Sequence, residues 1–366
     1  MHFYGIIKKW KSGDLMTKKV EVLKFLEDNS LEAVFVLKDE NCRYLSNFTG
    51  SDSFLFLTKK NFYLLTDNRY IEQAKKEAEG FEVVNYAGKL AESIARLSQK
   101  ENIKTVGLEE IITHKMYLSF ARAYTGAKFT ICKIDGLRQI KSAEELNFLR
   151  EACRISDIAF EKTVPHIRAG ITEARLRTIL ECAMLEAGSE GKSFDTIVAS
   201  GERSAYPHGT ATEKIIKEGD LVTFDFGAIY NGYHSDITRT VAVGSISEQK
   251  RYIYDAVLGC NEYIETLLKA GVICSDMDRE ARNYLKKFEL DSYFIHALGH
   301  SVGLEIHESP TLSPNDHTVL EIGMTETVEP GVYIPGIGGV RIEDTVVINK
   351  DNIEVLTKFS KKFLRV

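Results

Sequence analysis

Three of the chain's nine histidines fall within twelve positions, in HALGHSVGLEIHE at residues 296 to 308, punctuated by Gly299 and Gly303. His296 and His300 have the i, i+4 spacing of a helical zinc site, but the glycines argue against a stable helix and no glutamate follows His296 as H-E-x-x-H requires. The stretch is not a zincin motif, and packing, pH sensing and metal binding all stay open for it. Acids supply the stronger signal. In GDLVTFDFGAIYNGYHSDITRTVAV, Asp225 interrupts Leu221, Val222, Thr223, Phe224 and Phe226, a run otherwise fit for a buried strand. A carboxylate there is costly unless it is paired or metal-bound. Asp236 follows in a second strand-like run, and Gly227 and Gly232 between them supply a turn that lets the two acids converge. Near the C-terminus, Glu329 ends TETVEPG and Glu343 lies inside GGVRIEDTVVI, where strand alternation puts Arg341, Glu343 and Thr345 on one face. Taken singly, each acid also fits a solvated edge or a salt-bridged core position. Carboxylates joined by one imidazole suit hard or borderline divalent ions such as Mn²⁺, Co²⁺ or Zn²⁺, with oxygen enough for two.

These residues need elements to hold them. The β-rich runs AVFVL at 33–37, SFLFLT at 53–58 and FYLLTD at 62–67 alternate with helical segments such as YIEQAKKEAEG, and predict a compact α/β domain over residues 16–137. Ser142 followed by Glu145 is a capping-box signature, opening a long helix with Leu146, Leu149, Cys153 and Phe160 on one face. Over 138–366, two helical stretches reach Gly188, strands fill about 195–243, helices run from Glu248 to about Ala270 and from Asp276 to Phe288, and strands continue to the end. Strands not regularly separated by helices predict an α+β domain with an antiparallel sheet. Residues 1–15, MHFYGIIKKWKSGDL, do not merge with the helix predicted after Met16. They read either as upstream read-through ahead of a true start at Met16 or as a short N-terminal extension.

A chain of 366 residues, 44% apolar, can bury a large core and has the length of two domains. Its 47 basic and 53 acidic residues are intermixed, without the basic block that tracks a phosphate backbone or an anionic membrane, so neither nucleic acid nor membrane is an expected partner. Six cysteines without any C-x-x-C pair read as reduced, mostly packed thiols of a cytoplasmic protein. No apolar stretch approaches the length of a membrane span.

The motifs FDFGAIYNGYHSDITRT, HALGHSVGLEIHESP, TVEPGVY and GVRIED, in this order and with Asp, Asp, His, Glu, Glu intact, resemble the catalytic domain of the pita-bread metallopeptidases, most of all Xaa-Pro aminopeptidases (aminopeptidase P) and the similar prolidases. NCRYLSNFTGSDSFLFLT and LLTDNRYIEQA resemble the creatinase-like N-terminal domain, and SGERSAYPHGTAT the substrate-side loop. The resemblance implies a dinuclear site held by Asp225, Asp236, His300, Glu329 and Glu343, with Asp236 and Glu343 bridging two divalent ions, Mn²⁺ foremost and Co²⁺ or Zn²⁺ as alternatives. His208, His296 and His307 would face the substrate, with Tyr333 and Arg341 lining the site. Glu329 would shuttle a proton from a water shared by the two cations, and the histidines would donate to the developing oxyanion. The implied activity is cleavage between a first residue and a proline in second position of a peptide, by a cytoplasmic homodimer. Prolidase, acting on Xaa-Pro dipeptides and needing a cation for the free carboxylate, is the alternative, and a pita-bread binding module without catalysis the remaining one. One departure stands out. Thr325 and Glu326 occupy positions that are usually apolar in the family, so Glu326 is either solvent-facing or a perturbation of the site.

Overall fold

The computed structural model describes residues 13–366, with side chains from Thr17 onward, and divides into two compact units after Arg138. Most of the 1–15 stretch lies outside the described residues. The first helix, Gly13–Asp28, begins upstream of Met16 and so takes in the last residues assigned to that stretch.

In the N-terminal unit the β-branched and aromatic runs pair as their composition dictates. Strand Ala33–Val36, buried at all four positions, runs antiparallel to Phe54–Thr58, which in turn pairs antiparallel with Phe62–Thr66. Strands Glu82–Asn85, Thr105–Glu109 and Lys128–Cys132 join in parallel and complete a six-stranded sheet. Phe35, Phe56, Leu65, Val106 and Phe120 form its core.

The C-terminal unit opens on the helix Ala143–Thr163. The Ser142 hydroxyl accepts from Glu145 N at 3.3 Å while the Glu145 carboxylate accepts from Ser142 N at 2.8 Å, a reciprocal cap that satisfies two donors the first turn would otherwise orphan. This helix and Glu173–Glu186 pack on a sheet whose central strand, Leu221–Phe226, runs antiparallel to both Ile197–Ser200 and Ile237–Ala242. Phe160 stacks its ring 5.3 Å from that of Phe226 across this layer. A second core gathers the helices Glu248–Leu267 and Cys274–Lys286 against the strands Thr325–Val328 and Asp344–Ile348.

GVRIED departs from the single strand its alternation predicts. Gly338–Arg341 pairs with Gly331–Ile334, whereas Asp344–Ile348 pairs with Thr325–Val328, so the chain changes partner at Ile342 and Glu343. Glu343 N donates to Thr238 O at 3.1 Å across this break, which ties the segment to the strand beginning at Ile237. HALGH is not helical, as its glycines suggested: its last two residues enter the strand Gly299–Ser301, which pairs with Glu308–Leu312. A Cβ on Gly299 would stand 2.0 Å from Thr327 O, so only glycine lets these two segments approach. All six cysteines are free and five are buried, Cys182 being exposed. No helix among the described residues is long and apolar enough to cross a membrane.

Candidate metal centre

Asp225 lies next to the end of its strand and pairs in register with Thr238, two residues beyond Asp236. The return between them is the hairpin Ile229–Tyr230 and Tyr233–His234, turning through Asn231 and Gly232 at φ 46° and 71°. Its base closes tightly, since a Cβ on Gly227 would stand 1.9 Å from Ser235 O. Glu343 enters from the strand break. One ligand atom each from Asp225, Asp236 and Glu343 lie within 4.8 Å of one another. His300 Nε2 stands 3.7 Å from Asp236 Oδ2 and 3.5 Å from Glu329 Oε1, so all five residues expected to hold metal come together.

The chemistry of this cluster is that of a cation site. Asp225 Oδ1, Asp236 Oδ1 and Glu343 Oε1 are buried without any hydrogen-bond donor, an arrangement that leaves each oxygen's desolvation cost uncompensated. Burial first, then the charges of Glu343, Asp225 and Glu329, holds the Asp236 carboxyl well above the usual range. Burial and the charges of Glu329 and Asp225 do the same to Glu343. Burial pushes Glu329 up to about 8, with Arg341 opposing and Asp225 adding. His300 Nδ1 lies 3.1 Å from Ser301 O, which can only accept, so Nδ1 carries the proton and the bare Nε2 faces two carboxylates. Burial and the neighbouring His307 lower its pKa to about 4, so the ring is neutral. Lone pairs facing carboxyl oxygens repel unless a proton or a cation lies among them, and the 3.5 and 3.7 Å separations are too long for a hydrogen bond. A backbone-fixed tautomer is the usual preparation of a metal-binding imidazole.

Around the ligands lies a second set. Arg341 Nη2 donates to Asp225 Oδ2 at 2.5 Å and Nη1 to the Tyr333 hydroxyl at 2.7 Å. Tyr333 OH in turn lies 2.8 Å from His296 Nε2, and His296 Nδ1 lies 2.8 Å from Ala297 O. Since the carbonyl only accepts, His296 donates through Nδ1 and receives the tyrosyl proton at Nε2. Both its ring nitrogens are thus engaged within the protein. His208, His296, His307 and Arg341 line one cavity of about 550 Å³ with the five ligands. Tyr333, expected to line it, is instead 4% exposed and lies behind His296 and Arg341. Glu326 is fully buried with both carboxylate oxygens unpartnered, which excludes the solvent-facing reading.

Two hydroxyls were not foreseen. Thr238 Oγ1 donates to Glu343 Oε2 at 2.7 Å and accepts from Arg341 Nε at 3.1 Å. Thr327 Oγ1 receives His300 N at 3.0 Å and donates to Glu329 Oε1 at 3.2 Å. Each sits two residues from a proposed ligand that lies just beyond the end of its strand, Asp236 before Ile237–Ala242 and Glu329 after Thr325–Val328, the one signal that alternation offered. Phe194, Ile197 and Ile306 give the cavity an apolar wall.

Residues 147–350 match the metallopeptidase family M24, and residues 21–140 the creatinase/prolidase N-terminal domain. A Xaa-Pro dipeptidase of Pyrococcus furiosus is 39% identical over 355 residues, 95% of this chain and 100% of that protein. Among solved structures, a Xaa-Pro dipeptidase from Bacillus anthracis aligns with a TM-score of 0.94 at 40% identity, covering 96% of this chain and 100% of the other. An X-Pro aminopeptidase from Thermotoga maritima aligns with a TM-score of 0.85 at 36% identity, covering 92% and 98%.

Proposed function

Because the chain belongs to the M24 metallopeptidase family and bears a creatinase/prolidase N-terminal domain ahead of the catalytic one, we propose that it hydrolyses the bond preceding proline in Xaa-Pro substrates, with the Xaa-Pro dipeptide as its substrate. The observation behind this reading is the convergence of Asp225, Asp236 and Glu343 with His300 and Glu329, four acids and one correctly tautomeric imidazole, in a chain whose relatives include dipeptidases of that name. The names of the relatives weigh toward the dipeptide rather than the longer peptide that the motifs first suggest.

The five residues would hold two divalent ions, Mn²⁺ foremost. Such ions lower the pKa of water and polarise a carbonyl. The chain's own groups do the rest. Glu329, steadied by Thr327, takes up a proton at its carboxylate and returns it to the leaving proline nitrogen. His208 and His307, both exposed to the cavity, donate to the substrate carbonyl and its developing negative charge. His296, with both nitrogens engaged, acts by fixing Tyr333 and through it Arg341 and Asp225. Phe194, Ile197 and Ile306 offer an apolar surface for the proline ring. A homodimer in the cytoplasm is the expected setting.

One observation favours the aminopeptidase reading instead. Arg341 is the only arginine among the described residues lining the cavity, and it already donates to Asp225, Tyr333, Thr238 and Pro207 O. A dipeptide's free carboxylate needs a cation of its own. The test is to strip the protein with chelator, restore Mn²⁺, and compare an Xaa-Pro dipeptide with an Xaa-Pro-Yaa tripeptide. Preference for the dipeptide supports prolidase activity, preference for the tripeptide replaces it with aminopeptidase P, and no cleavage of either removes the peptidase reading.

A further inference from the structure

Residues 201–211 leave the strand Ile197–Ser200, pass through the turn Gly201–Ala205 and bring Pro207, His208 and Thr210 to the cavity wall before the chain returns at Thr212. A segment of this kind is only as well placed as its two ends. Both ends meet at one carboxylate that the cavity does not touch. Glu173, the first residue of the helix Glu173–Glu186, is 0% exposed. Its Oε1 accepts from Ser200 N and Ser200 Oγ, both at 2.8 Å. Its Oε2 accepts from Thr212 N at 3.1 Å, from Thr212 Oγ1 at 2.8 Å and from Arg203 Nη1. Arg203 Nη2 then crosses the neck of the loop to Thr210 O at 2.8 Å. The tip has weaker support: Arg341 Nη1 reaches Pro207 O at 3.2 Å, and Ser204 Oγ receives Gly339 N at 2.7 Å.

We propose that Glu173 is a positioning residue of the hydrolytic site, pinning both ends of the 200–212 loop so that His208 is held at the substrate. The assignment rests on the reading that His208 touches substrate, and it explains why a buried acid accepts from five donors that all belong to this one loop. A carboxylate suits the task because all its lone pairs accept. An amide of the same shape turns half of that surface into donors that face other donors.

The test uses Glu173→Gln, with Thr212→Val as a milder variant that removes one donor, each alone and combined with His208→Ala. If Glu173 acts through His208, Glu173→Gln lowers kcat/KM on an Xaa-Pro substrate roughly ten- to a hundredfold when assayed well below its melting temperature, which the opposed donors reduce, while Mn²⁺ titration stays close to wild type. The double variant with His208→Ala is then no worse than His208→Ala alone. Losses that multiply in the double variant, or a wild-type kcat/KM in Glu173→Gln, would overturn the assignment. A second readout needs no substrate. Trypsin should cut after Arg203 in Glu173→Gln, more slowly in Thr212→Val, and hardly in wild type, because the neck that shields this bond has opened. Equal cutting in all three overturns the clamp even if no Xaa-Pro substrate is ever cleaved, whereas loss of substrate activity in wild type would sink the peptidase reading alone.

Discussion

Asp236 presents one carboxylate oxygen 3.7 Å from His300 Nε2 and buries the other with no donor at all. If Asp236 is shared between two cations, as the family resemblance implies, Asp236→Asn keeps the side chain's shape but not its charge, so calorimetric titration should register one Mn²⁺ per chain in place of two, and kcat/KM should fall roughly a thousandfold or more, in line with the several kcal/mol such ions supply. A variant that still binds two ions with unchanged affinity would remove Asp236 from the bridging position. The acids of this site were legible because a carboxylate inside a buried strand contradicts its surroundings, as Asp225 does among Leu221, Val222, Phe224 and Phe226. The hydroxyls of Thr238 and Thr327 contradict nothing, since threonine is at home in any strand, and their hydrogen bonds to Glu343 and Glu329 emerge only from three-dimensional register. His296 was legible as a site residue but not as one whose two nitrogens are both engaged.

Strand Thr325–Val328 shows how one element can serve a site on one face and weaken the fold on the other. Thr325 and Thr327 bond Val302 O and His300 N, whereas Glu326, on the alternate face, is fully buried with neither oxygen partnered. Burial pushes its carboxyl well above the ordinary range, with Lys141 opposing and Asp316 adding. A carboxyl with a raised folded-state pKa binds more protons folded than unfolded, so stability falls as pH climbs above the unfolded value. Glu326→Val should therefore stabilise the protein by about 1–3 kcal/mol, with the gain larger at pH 8 than at pH 5. Denaturant midpoints at the two values decide it, and an equal or lower midpoint for the variant would show that Glu326 has a partner. Local chemistry made other elements easy to read: the Ser142–Glu145 cap forms as its spacing implies. The partner change at Ile342 and Glu343 was not legible, because alternation through GGVRIEDTVVI continues across the break and only the competition between two sheets ends the first strand.

For the whole molecule, the proposed metal cluster couples stability to pH, because it gathers four carboxyls in one buried place. Asp236, Glu343 and Glu329 all have carboxyls raised by burial first and by neighbouring acids, Asp225 among them in each case, Glu329 to about 8. Without metal, each is more protonated folded than unfolded, so the stability these groups contribute is present below about pH 4, where free carboxylates titrate, and is lost as pH rises through the folded-state values. Divalent ions reverse the sign, since their ligands must be deprotonated to bind and affinity grows with pH. At a hundredfold excess over Kd, binding adds about 2.7 kcal/mol, worth roughly 5–10 °C for a domain of this size. Melting curves of the full chain, stripped and Mn²⁺-loaded, should therefore separate progressively between pH 5 and pH 8, the stripped protein losing stability over that interval. A gap that stays constant or narrows would mean that Arg341, already 2.5 Å from Asp225, balances the acids without help and that metal is not what the buried oxygens await.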